Sequence, residues 1–222
     1  MQGWLQRVDA EIIGAVLTFQ AQKNIFGSYV EIDVHHGKSF VPLCTALRKD
    51  ELALIDIFDD QMKNLDASGN GHLNLFQANL MKFRFDQSRI CIYKGLSVDV
   101  RSEYVLEQVG RVRFFSVDGG HWNFIVRSDL TLAEMTLAAG GVVALDDYCR
   151  PNGQMSPAAM RYGKRTQSQI LFHLQSDPTS FIFAKKTMRL PIALHLKRLF
   201  WFTIGEIPIG QTMQSLIAIG WS

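Results

Sequence analysis

The chain has 222 residues, 47% of them hydrophobic and 20% charged, with a formal net charge of +2. That length suits one domain with a real core, and the near-neutral balance, with lysines and arginines scattered, argues against nucleic acid as a partner. The three cysteines, Cys44, Cys91 and Cys149, are widely spaced and form no CxxC pair, so they read as reduced thiols of a cytoplasmic protein.

In chain order, charges interrupt the apolar residues of the first segment early, so it does not read as a secretory signal. Residues 8–22 place Ile12, Ile13, Val16, Leu17 and Phe19 at near-helical spacing and predict a leading helix. Residues 29–34 predict a strand, followed by the turn His35-His36-Gly37-Lys38-Ser39 and a helical stretch at 40–47. A second strand at 52–57 carries Asp56 near its end and leads into a polar loop at 59–71. Helix 73–85, strand 90–93, helix 100–108, strand 112–117 and helix 124–137 follow. The run Ala139-Gly140-Gly141 closes that helix, and a fifth strand at 142–145 ends at Asp146-Asp147. Strands alternating with helices imply right-handed crossovers and a mostly parallel sheet. The strands are continuous apolar runs, as a sheet covered on both faces requires.

After Pro151 the pattern weakens, with residues 181–184 and 199–204 as candidates for the last strands. The apolar segment 199–221 contains Glu206, Pro208 and several glycines. It reads as strands or a core-packing tail, without stable membrane insertion, and its character also suits a homo-oligomer interface. No repeat or linker divides the chain, so residues 1–222 are read as one domain, with a core at about 29–150 and C-terminal strands and tail at 151–222.

In open parallel sheets, ligands bind outside the carboxyl ends of the strands. Here those ends carry Gly37 and Ser39 in the first loop, Asp56 on the second strand, Asp118-Gly119-Gly120-His121 after the fourth, and Asp146-Asp147 after the fifth. Gly37 would let a ligand approach the backbone, although the turn is equally a plain strand-to-helix connection. Asp56 suits ribose hydroxyls, or is a solvated strand end. Asp118, Asp146 and Asp147 together suit a hard divalent cation such as Mg2+. His121, three residues past Asp118, suits a proton acceptor beside it. His35 and His36 are adjacent, so in an extended segment they would point to opposite sides. That argues against a shared metal and for one packed and one exposed ring. Asn64, Asp66, Ser68 and Gly69 form either a substrate-entrance loop or an ordinary polar one.

Four segments, VEIDVHHGKSF (30–40), LALIDIFDDQ (52–61), SVDGGHW (116–122) and AAGGVVALDDY (138–148), carry a resemblance to class I S-adenosylmethionine-dependent methyltransferases. The branch they resemble includes metal-dependent O-methyltransferases of macrolide and sugar pathways. The resemblance covers about residues 29–148, and the C-terminal third matches poorly. It implies a Rossmann-like, doubly wound, three-layer α/β/α fold. It also implies an S-adenosylmethionine site with Glu31, Gly37, Ser39, Asp56 on the ribose, Ser97 in the loop near the adenine, and Asp118. Mg2+ on Asp118, Asp146 and Asp147 and a general base at His121 complete the set, with a sugar, glycan or natural-product hydroxyl as acceptor. The family often has Glu where this chain has Asp146.

The family usually has Gly where this chain has Asp33. A carboxylate there brings bulk and negative charge toward the carboxylate end of the cofactor. The rival reading is therefore a methyltransferase-like binding protein without catalysis. A nucleotide-dependent oxidoreductase is the other alternative, and the lack of a full GxGxxG argues against it.

Overall fold

Apolar runs that are buried on both sides must form the middle layer of the molecule, and the strands do so. The computed structural model describes residues 2–3, 5, 7–44, 52–56, 58–64, 69–146, 169–173 and 181–184. Helix α1 (Arg7–Gln22) leads into β1 (Ser28–Ile32), then α2 (Phe40–Cys44), β2 (Leu52–Asp56) and α3 (Leu73–Lys82). Next come β3 (Cys91–Lys94), α4 (Ser102–Val109), β4 (Val112–Val117), α5 (Asn123–Thr136) and β5 (Leu137–Leu145), then β6 (Gln169–His173) and β7 (Phe181–Ala184). The sheet order is β3-β2-β1-β4-β5-β7-β6. The first five strands run parallel, and β7 is antiparallel to both β5 and β6. The order reverses between β1 and β4, which opens the crevice where such sheets take ligands.

Strand alternation sends side chains to two cores. Tyr29, Phe114, Val142 and Ala144 pack with Ile12, Val16 and Leu17 of α1, Phe40 of α2, and Phe76 and Leu80 of α3. Val30, Ile32, Phe115, Val117, Val143 and Leu145 pack on the opposite face with Val105 of α4 and Leu130 and Ala133 of α5. The three-layer doubly wound architecture expected from the sequence is therefore present.

Two local expectations need correction. The Gly140-Gly141 pair does not close the helix before a strand at 142. The strand begins at Leu137, directly after α5. Gly140 adopts φ +81° inside it, and the register with β4 jumps from Val112↔Leu137 to Phe114↔Val142. The glycines thus accommodate extra residues on one strand. The second correction is β6, which was not anticipated. Its apolar stretch Ile170-Leu171-Phe172 is short and flanked by polar residues. The expected strand at 199–204 lies outside the described residues, as does the tail at 199–221. Among the described residues no helix is long and apolar enough to cross a membrane.

Gln20 of α1 is buried and ties the layers together. Its side-chain amide donates to the carbonyl of Arg113 at 2.7 Å and to that of Gly140 at 3.2 Å. Removing the amide strands two buried carbonyls, so Gln20→Leu is expected to lower stability by about 1–3 kcal/mol, read from the urea midpoint at unchanged m-value.

Candidate functional site

The backbone at the tip of β1 makes three left-handed excursions, at Asp33 (φ 63°), His35 (φ 53°) and Gly37 (φ 82°). Aspartate and histidine tolerate this region better than most side chains, though at a cost. The Gly37 N–H donates to Val34 at 2.8 Å. A Cβ on Gly37 would stand 2.9 Å from the Phe76 ring, so glycine here is first a packing requirement of the loop against α3. The left-handed turn at His35 also removes the alternation expected of an extended pair. The His35 and His36 rings touch, with centroids 3.9 Å apart, while His36 is buried and stacks 5.8 Å from His72.

Glu31 is buried one turn of the pleat below Asp33, and its carboxylate accepts from the hydroxyls of Tyr29 and Ser39. Glu31 and Ser39 thus brace β1 against the start of α2. Asp56, the last residue of β2, accepts the His35 N–H at 2.7 Å and the Phe58 N–H at 2.5 Å. It also shares a hydrogen bond with the Asp33 carboxyl. The Val34 N–H adds a further hydrogen bond to the Asp56 carboxyl.

Asp118 and Asp146 follow immediately on β4 and β5. The Asp146 N–H donates to Val117 at 2.9 Å, and the two carboxyl groups are hydrogen-bonded to each other. Burial lifts the Asp118 pKa well above the usual range, and the charges of Asp146 and Asp33 lift it further. Burial also raises Glu31 to about 7; Asp33, although exposed to solvent, is raised as well by partial desolvation of its carboxyl and by the charges of Asp56 and Glu31. Asp56 itself is raised, mainly by burial. His121 is exposed at the rim, and its charge acts on Asp33 in the opposite direction. Ser97 is half-buried in the turn after β3, with its hydroxyl near Gly119.

The tips of β2, β1, β4 and β5, four neighbours in the sheet, therefore each bear an aspartate: Asp56, Asp33, Asp118 and Asp146. Carboxylates crowded in this way hold protons unless a cation joins them. Residues 30–148, more than half the chain, match the family described as methyltransferase domain. The chain belongs to that family.

The methyltransferase also resembles solved structures. The O-methyltransferase NovP is 16% identical with a TM-score of 0.64, over 80% of this chain and 79% of that one. An O-methyltransferase from Bacillus cereus in complex with SAH is 15% identical with a TM-score of 0.59, over 82% and 81%. CalS11, a calicheamicin methyltransferase, is 14% identical with a TM-score of 0.55, over 82% and 81%. At these identities the likeness establishes the fold. Comparison with curated proteins gave no match. The family and the fold together make this chain a class I S-adenosylmethionine-dependent methyltransferase.

The acidic tips of the methyltransferase fit a cationic donor, since a positive charge would discharge the row of raised carboxyls. Among the described residues, no three His, Cys, Asp or Glu side chains are arranged to hold a metal ion. Asp118 and Asp146 do converge, and an oxygen-only pair fits Mg2+, which keeps several waters. Asp147, Asp66 and Ser68 lie outside the described residues. The Asn64 side chain donates to the Gly69 carbonyl at 3.2 Å, closing that loop on itself. Sequence reasoning missed Asp33 as a partner of Asp56, because only the sheet order brings the ends of β1 and β2 together. It also missed Asp129, fully buried on α5.

Glu31 holds its proton to about pH 7 when folded but only to about pH 4 when unfolded. Its contribution to stability is thus complete below about pH 4 and is lost as pH rises through 7. The ligand-free methyltransferase is expected to melt at a lower temperature at pH 8 than at pH 5, and Glu31→Gln to flatten that dependence in calorimetric scans.

Proposed function

We propose that this methyltransferase transfers the methyl group to a hydroxyl oxygen, with a divalent cation at the β4 and β5 tips and a sugar or related polyhydroxylated molecule as acceptor. The observation that carries the reading is the convergence of Asp118 and Asp146, with His121 at the rim three residues beyond Asp118. Bound S-adenosylmethionine supplies an electrophilic methyl group, and bound Mg2+ would supply a Lewis acid that acidifies the acceptor hydroxyl. Asp56 would hold the ribose. Asp118 and Asp146 would hold the cation, with Asp147 as the third carboxylate that the family resemblance implies. His121 takes the hydroxyl proton on a ring nitrogen, and being exposed it can pass that proton to water.

Trp122, 52% exposed beside His121, offers a flat apolar surface to the acceptor at the rim. The fold neighbour CalS11 is a TDP-rhamnose 3′-O-methyltransferase, which supports a sugar acceptor on the same scaffold.

His121→Ala is expected to lower kcat by about 10²–10⁴-fold with cofactor affinity unchanged, measured with a panel of nucleotide-linked sugars and by calorimetry. Asp118→Asn should abolish turnover or its dependence on Mg2+. Full activity of wild type in EDTA would remove the metal from the mechanism.

The rival reading, a binding protein without catalysis, rests on Asp33. Asp33 is solvent-exposed, but partial desolvation of its carboxyl and the charges of Asp56 and Glu31 raise it to about 7, so near neutrality it carries only part of its charge toward the cofactor's carboxylate. Asp33→Gly is accordingly expected to tighten S-adenosylmethionine binding at pH 8 and to change it far less at pH 6. Absence of turnover by wild type and Asp33→Gly alike, with the cofactor bound, would favour the rival.

A further inference from the structure

We propose that the imidazoles of His35, His36 and His72 form an acid-sensitive clamp. They hold the loop after β1 in its ligand-binding shape only while the His36 ring is uncharged, and protonation of that ring releases the cofactor. The inference rests on the reading that this loop and Asp56 hold S-adenosylmethionine.

Several segments converge on the cluster. His35 and His36 belong to the loop after β1, and His72 stands directly before α3. The His36 ring touches that of His35, with centroids 3.9 Å apart, and lies 5.8 Å from that of His72 at 13° to it. The residues before α3 press close: a Cβ on Gly71 would stand 3.4 Å from His35 Cα and 3.5 Å from Asp56 Oδ1. The Asn79 amide of α3 donates to the His36 carbonyl at 2.9 Å. Asp59 fixes the far side of the stack, holding His72 Nδ1 at 2.8 Å and Lys94 Nζ of β3 at 3.3 Å. The near side bears on the ligand site, because Asp56 grips the His35 N–H at 2.7 Å. Rings that part therefore pull the loop away from Asp56.

His36 is 4% exposed, and its Nε2 has no hydrogen-bond partner among the described residues. A neutral imidazole can leave such a nitrogen as a bare acceptor, whereas an imidazolium carries N–H on both. The charged form thus buries a charge and an N–H that nothing accepts, against two other imidazoles. Burial lowers the His36 pKa, and the charges of His35 and His72 lower it further, while the Asp56 charge and the Asn70 carbonyl pull the other way. His35 is lowered by burial and by His72, against the pull of the Gln2 carbonyl. On the loop itself, the Asp33 carboxyl pairs with Asp56, and the Lys38 ammonium donates to the Gly3 carbonyl at 2.8 Å. The stabilisation from a neutral His36 is complete above about pH 6.5 and is lost as pH falls through its lower folded value. Glu31 gains its proton as pH falls through about 7 and stabilises the fold, so the release is local to the loop.

Hydrogen exchange of the full, ligand-free chain at pH 8 and pH 5, corrected for the intrinsic effect of pH, tests this beside calorimetric titration with S-adenosylhomocysteine. At pH 5, peptides covering 33–40 and 69–76 should lose protection while those covering β4 and α5 keep it. Wild-type affinity should fall by about tenfold or more over the same range. His36→Gln should bind within about threefold of wild type at pH 8 and limit the fall to about threefold. His36→Phe, which keeps a ring, takes its place if the glutamine variant does not fold. A fall of wild-type size in these variants would put the pH dependence in the row of carboxyls and overturn the proposal. So would protection kept at 33–40 at pH 5, or lost throughout the sheet. Absence of binding at either pH overturns the cofactor reading beneath it, and hydrogen exchange then decides the clamp alone.

Discussion

Neighbouring strands in a parallel sheet stand about 5 Å apart, and four adjacent ones here, β2, β1, β4 and β5, each end in an aspartate. At that spacing, in a half-buried crevice, carboxyl groups cannot all be ionised without a counter-charge. The chain responds by sharing protons between Asp33 and Asp56 and between Asp118 and Asp146. The ligand-free site is therefore a place of deferred positive charge. A sulfonium, an ammonium and a divalent ion each answer that deficit, and a methyl donor bound beside Mg2+ would supply all three.

Holding the row together requires a strained loop. Asp33 and His35 both take left-handed backbone conformations, and strain of this kind persists where the surroundings over-determine it. The determinants are visible. Asp56 grips the His35 N–H, Glu31 anchors Ser39, and Phe76 closes on Gly37. A carboxylate at 33 is thus one end of a hydrogen-bonded pair as well as an intrusion on a site that the family usually leaves open.

Two cores support this arrangement from opposite faces. The aromatic side, with Tyr29, Phe40, Phe76 and Phe114 in mutual contact, fixes the loop after β1. The aliphatic side, with α4 and α5, fixes the turn after β4 and carries Asp129 beneath it. The loop after β1 and the turn after β4 are therefore held by different helices, and each can be altered by substitutions that leave the other packed.

By itself the sequence determined the alternation of strands and helices, because continuous apolar runs such as Val112–Val117 suit a sheet covered on both faces. It also determined which strand ends carry acids, since Asp56, Asp118 and Asp146 stand where those runs stop. Boundaries failed where glycine was ambiguous: Gly140 and Gly141 read as a stop between elements, yet the pairing of β5 with β4 absorbs them within a strand. Tertiary structure alone decided that Asp33 meets Asp56, that His35 meets His36, and that Asp129 lies under Gly119 facing Ser97. These contacts join residues that are brought together by sheet order, by a left-handed turn and by helix packing. None of the three is encoded in local periodicity, which reports only which face of an element is apolar.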